Sequence, residues 1–209
     1  MLGDGASPSL NHRDRRKQET RRRVLQAAKD LFDRHGYDTV TIRMIADAAG
    51  VAVGSVFTTL PSKSAVLDAI VIDALAEQDH RIELALVGAE GVVARVRCIF
   101  ATLYTYHDDR FMLLLQAISH SWVRAPEAEV AVRAAIAPLY RRIERTLRAA
   151  REVGELSDDA DLRLITDTLF ATYIANYRRA AYDAWTVLDL ADRMERHIRL
   201  VLTGAGLRG

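Results

Sequence analysis

A chain of 209 residues, half of them hydrophobic and 27% charged, is long enough to bury a core in one or two domains and too ordinary in balance for a disordered or fibrous protein. The single Cys98 excludes an intramolecular disulfide and fits a reducing cytoplasm, and no apolar run approaches the ~20 residues of a membrane span. The net charge of +1 conceals an asymmetry, because residues 1–63 carry a net +4 and the remainder −3.

Only 4 prolines and 11 glycines punctuate the chain, which suits long helices. Residues 1–14 read as a flexible basic leader, with Gly, Ser and Pro as far as Asn11. A first helix is predicted over 15–34. Its apolar stripe is Val24, Leu25, Ala28, Leu31 and Phe32, and Gly36 caps its end. Arg13, Arg15, Arg16, Lys17, Arg21, Arg22 and Arg23 are opposed there only by Asp14 and Glu19. Such a block predicts phosphate contacts, assigned to Arg16 and Arg21, against the alternative of a solvated tail.

The stretch Thr41–Lys63 holds two short helical patterns. Ile42, Ile45, Ala46 and Ala49 share one face, and Val53, Val56, Phe57 and Leu60 share another. Gly50 between them is suited to the positive φ that re-aims the chain, and Thr41 to capping the first pattern. A small residue at the contact, a turn glycine and an apolar anchor are what two steeply crossed helices require. This predicts a helix-turn-helix whose second helix enters the DNA major groove.

The run from RRRVLQAAKDLFDRHGYDTVTIRMIADAAGV to GSVFTTLPSKSAVL, Arg21–Leu67, resembles the TetR family of bacterial transcriptional regulators. The resemblance implies an all-α homodimer. Residues 15–62 would form the three-helix DNA-binding domain, and 63–209 a larger helical domain for ligand binding and dimerisation. It also implies that Val53, Ser55, Phe57 and Thr58 lie on or near the reading face of the recognition helix. Thr41, Thr59 and Lys63 are expected on phosphate, and Arg43 on phosphate or a guanine edge. The sequence departs from the family pattern at Ala52, where a capping Ser or Thr is common, at Val53, and at Phe57–Leu60, where Tyr-x-His-Phe is usual. The recognition helix therefore bears no charge, which leaves hydroxyl bonding and thymine-methyl contact for base reading.

Further helices are predicted from Pro61–Ser62 to Leu84, over Val92–Tyr106, over Arg110–Trp122 and over Glu127–Glu152. Pro126 opens the last of these, and Pro138 inside it predicts a kink or a division into two. Two more follow, Asp161–Tyr182 and Val187–Leu202. Leu162, Ile165 and Leu169 on the first, with Val187, Leu190, Met194 and Ile198 on the second, are the predicted dimerisation face, against intramolecular packing alone. A ligand cavity is predicted from Tyr104, His107, Phe111, Gln116, His120 and Trp122, joined by Phe170, Tyr173 and Tyr177; the competing reading makes these core aromatics. Glu77-x-x-His80 lacks the second pair that a di-iron bundle needs, and no HExxH, Cys-x-x-Cys or GxSxG occurs. No catalysis, cofactor or metal is expected.

The predicted function is a transcriptional regulator of a palindromic operator, a repressor released by a small apolar or aromatic ligand. The alternatives are control by a protein partner or by abundance, and a helical binding protein with weak DNA affinity.

Overall fold

A computed structural model describes residues 12–106 and 111–207, and among these the chain forms nine helices and no strand. Two compact units divide within one helix, Met1–Ile70 and Val71–Gly209.

The first unit contains α1 (His12–His35), α2 (Ile42–Ala49), α3 (Val53–Thr59) and the first turns of α4 (Lys63–Ala85). Its core is the predicted stripe of α1 closed by Ile45, Ala46 and Ala49 of α2, Val56 of α3, and Val66 and Leu67 of α4. Helix α1 starts at His12, so residues 12–14 of the expected leader are helical, and Asp14 in the first turn favours that start by opposing the helix dipole. Residues 1–11 lie outside the described residues.

The second unit takes the rest of α4, then α5 (Gly91–Tyr106), α6 (Phe111–Ser121), α7 (Pro126–Glu152), α8 (Leu162–Asp183) and α9 (Val187–Gly204). Helix α9 packs on α5 and α8, and α7 packs on the same two. Helix α7 runs unbroken with Pro138 inside it; the ring removes one donor, so the Ala134 carbonyl loses its helical partner. Asp161 caps α8 by accepting from the Leu164 amide at 3.0 Å. Thr186 and Asp189 form a reciprocal capping box that starts α9.

The predicted dimerisation face is corrected. Ile165, Leu169, Leu190, Met194 and Ile198 are buried within their own unit, and Leu162 and Val187 pack against that core. The most apolar stripe of each helix has gone to intramolecular packing, where it loses the most contact with water.

Candidate nucleic-acid interface and cavity

The reading head is built from capped, steeply crossed helices. The Thr41 hydroxyl accepts from the Met44 amide at 3.2 Å, starting α2. Gly50 stands at φ 63°, and the Val51 amide then reaches the Ala46 carbonyl at 3.0 Å, which closes α2 and turns the chain. The axes of α2 and α3 are bent by 106°, within the range of helix-turn-helix units. Ala52 offers α3 no side-chain cap, and burial of Val56 anchors that short helix instead.

Two cations predicted or counted as available to phosphate are engaged in holding this geometry. Arg23 from α1 donates through Nη2 to the Ala49 carbonyl and, at 3.0 Å, to the Gly50 carbonyl. It thus satisfies acceptors left open at the end of α2. Lys63 donates from Nζ to the carbonyls of Tyr37 at 2.9 Å and Asp38 at 3.2 Å, and lies 4.3 Å above the Tyr37 ring. Its predicted phosphate role is corrected to tying α4 to the loop between α1 and α2. Arg22 pairs with Glu19 at 2.7 Å, and Arg21 is half-buried with an interaction of its own. Arg15, Arg16, Lys17 and Arg43 are exposed.

On α3, Ser55, Phe57 and Thr58 are exposed, while Val53 and Thr59 are half-buried. The Thr58 hydroxyl donates to the Gly54 carbonyl at 2.8 Å and that of Thr59 to the Ser55 carbonyl at 3.2 Å. Their protons are committed, so toward DNA both present lone pairs, suited to the amino groups of adenine or cytosine. Phe57 keeps 49% of its surface in solvent, a large apolar side chain on a helix without charge. A Cβ placed on Gly54 would meet nothing within 4 Å, so the backbone there is open to close approach.

The predicted aromatic cavity resolves differently. Tyr104, Tyr173 and Tyr177 are buried together with ring centroids 4.9–5.4 Å apart. Tyr173 and Tyr177 share a hydrogen bond of 2.9 Å, and the Asn176 amide donates to the Tyr104 hydroxyl at 3.1 Å. Burial pushes all three phenols far above their ordinary range. They are a satisfied polar network inside the core, and their predicted cavity role is corrected. Trp122 is 88% exposed, because it follows the last turn of α6 where no described residue covers it. Gln116 and His120 are half-buried. Phe170 lines an open groove between α7 and α8, beside Tyr140 at 4.9 Å. His107 and the Phe111 side chain lie outside the described residues.

An apolar cavity of about 360 Å³ lies elsewhere, between α4, α5 and α7. Ile72, Leu75, Ala76, Gln78, Asp79 and Ile82 of α4 face Leu103 of α5 and Ala135, Pro138 and Leu139 of α7. Its size falls at the lower end of the ~300–1,000 Å³ of small-molecule sites. At its edge Arg142 of α7 donates to Asp79 at 2.6 and 2.8 Å and to Glu83 at 3.1 Å, joining α7 to α4. Sequence reasoning missed this site, although one signal was legible. Gln78 interrupts the apolar series Val71, Ala74, Leu75 and Ile82 on α4, and a polar residue in a buried stripe is the informative exception.

Comparison with known proteins decides the family. Residues 24–70 match the model of bacterial regulatory proteins of the tetR family. The solved structure of FadR from Thermus thermophilus, a TetR family transcriptional repressor in complex with lauroyl-CoA, is 30% identical. The match covers 90% of this chain and 96% of that one, with a TM-score of 0.74. The chain belongs to the TetR family. The transcriptional repressor KstR of Rhodococcus jostii is 28% identical over 196 residues, 92% of this chain and 86% of that protein. FadR of Bacillus subtilis, solved with stearoyl-CoA, shares the fold at 16% identity and a TM-score of 0.70, covering 88% of this chain and 98% of that one. As a TetR-family member the chain is a DNA-binding transcriptional regulator, and α1, α2 and α3 lie within the matched residues. No single helix among the described residues is long and apolar enough to cross a membrane.

Proposed function

We propose that the protein is a homodimeric cytoplasmic repressor that a long-chain acyl thioester lifts from its operator. The observation that carries this reading is the nearly full-length likeness to a repressor solved with lauroyl-CoA. Two features of this chain agree with it. The α4–α5–α7 cavity suits an alkyl chain, and Arg141, Arg145 and Arg148 follow one another along an exposed face of α7, positive charge suited to the phosphates of such a thioester.

The two-fold symmetry of a palindromic operator calls for two reading heads. Leu164, Thr168, Ala171, Ala175 and Tyr182 are exposed at helical spacing along α8, and these mostly small or apolar residues would seat the same face of a second copy. Control is then a population shift. A ligand that fits one arrangement of α4 better than another biases the equilibrium by that difference in affinity alone, and about 10⁴-fold would take it from one extreme to the other. Helix α4 carries the cavity wall at Ile72–Ile82 and, at its start, Lys63 with its hold on the loop before α2. The test is to select genomic fragments that the protein retains and add lauroyl-CoA to the complexes. Release at micromolar ligand supports the proposal, and retention at saturating ligand defeats it.

A further inference from the structure

Gln78 is the feature of the cavity that the family likeness does not explain. It is 2% exposed on a helix face otherwise apolar there, and its Oε1 has no hydrogen-bond partner among the described residues. The orientation of the amide is set by its surroundings. The other terminal atom lies 3.5 Å from the Ala74 carbonyl, and only an N–H₂ is tolerated beside a carbonyl, so the oxygen is the atom left over. A buried acceptor with no donor is rare in a settled core, because the group has lost water and gained nothing. The adjoining polar group on the cavity wall is Asp79, whose carboxylate is already met by Arg142. Asp79 thus adds an acceptor to the wall, and Gln78 lines it with an Oε1 shielded from the open volume, which a ligand reaches by a turn of the amide.

From this we infer that Gln78 is a specificity determinant: the effector places a hydrogen-bond donor, a hydroxyl or an N–H, against Gln78 Oε1 while its apolar body fills the cavity. The inference rests on the reading of the α4–α5–α7 cavity as the effector site, and it adds a demand on chemistry. An alkyl chain alone leaves Oε1 unpaired. A carboxylate at that depth sets acceptor against acceptor beside Asp79. A hydroxyl or amide N–H satisfies the site at no cost in charge. The terminal torsion of a glutamine is broad, so Oε1 can turn to meet a donor without moving α4.

Two probes of matched size separate the cases, decan-1-ol with a donor and decan-2-one with an acceptor only. Their binding is measured by calorimetric titration of the full chain. The wild type should bind the alcohol about tenfold more tightly than the ketone, the ratio of one net hydrogen bond. Gln78→Met keeps the length of the side chain and removes the acceptor, and in it the two probes should bind equally. That variant should also melt at or above the wild-type temperature, since it removes an unpaired buried oxygen; Gln78→Leu serves in its place if Met fails to fold. Equal binding of the two probes by the wild type overturns the inference, as does a preference that survives in both variants, or no binding of either probe. Lauroyl-CoA on the DNA complex is the separate arm. Failure of release with the alcohol preference intact removes the thioester proposal and leaves Gln78 in place, whereas release that coincides with equal probe binding removes only the role of Gln78.

Discussion

Arg23 separates a structural cation from a phosphate contact, and its replacement by Met is the sharpest perturbation of the reading head. The guanidinium holds two carbonyls at the end of α2, one partly buried and one exposed. A hydrogen bond from a charged donor contributes about 1.5–3 kcal/mol when shielded and little in water, so the pair is worth roughly 2 kcal/mol. Methionine keeps the helix propensity and the stem, so the loss is confined to those bonds. For a chain of this length unfolding in one transition, 2 kcal/mol lowers Tm by about 4–8 °C. Calorimetry reads that shift, and anisotropy of labelled operator at several salt concentrations reads the phosphate count. With its guanidinium engaged by those two carbonyls, replacing Arg23 should leave the slope of log K against log salt at the wild-type value while affinity falls with the loosened turn. Arg16→Ala is the opposite case. Its Tm should not move, and its slope should become shallower by about 0.9 per contact, or about 1.8 for a dimer. An Arg23 variant with unchanged Tm and a shallower slope would make Arg23 a phosphate contact instead.

Gly54→Ala should raise Tm, since alanine in a helix is favoured by about 0.5–1 kcal/mol and the added methyl meets no described atom within 4 Å; operator affinity should fall at least tenfold where the backbone lies against DNA, as anisotropy would report. Replacing thymine by uracil in the operator should cost about 0.8 kcal/mol, or roughly fourfold in affinity, for each methyl expected to lie against Phe57. Phe57→Ala should bind the two DNAs alike, so a thymine preference that persists in it would move methyl reading to another residue. Tyr177→Phe should cost about 1 kcal/mol by the loss of its bond to Tyr173 and leave lauroyl-CoA affinity unchanged in calorimetric titration. A large loss of ligand affinity would return that tyrosine to the effector site.

Much of the fold was legible because periodicity and punctuation agree. The stripe of α1, the glycine at 50, the cap at Thr41 and the proline opening α7 each predict an element on local grounds, and each element formed. What failed required knowledge of neighbours. Charge alone does not distinguish a lysine aimed at phosphate from one spanning to the carbonyls of Tyr37 and Asp38, 26 and 25 positions away. On α8 the large apolar residues were assigned to a partner and turned out to line the monomer core, while the outward stripe of Leu164, Thr168, Ala171 and Ala175 was too weakly apolar to register. Aromatic residues drew the predicted cavity to Tyr104, Tyr173 and Tyr177, whose hydroxyls satisfy one another or the backbone. The α4–α5–α7 cavity is walled mostly by ordinary aliphatics, and Gln78 was the buried polar residue that marked it in the sequence.

The proposed regulation requires that an effector in the α4–α5–α7 cavity act on DNA binding. Ala135→Leu fills that cavity from α7 and changes no residue of the first unit. The measurement is release of labelled operator during titration with lauroyl-CoA, followed by anisotropy in the wild type and in this variant. Operator affinity should be equal in the two proteins without ligand, the wild type should be released, and the variant should stay on DNA at ligand concentrations that free the wild type. Release of both proteins at the same concentration would contradict the proposed regulation.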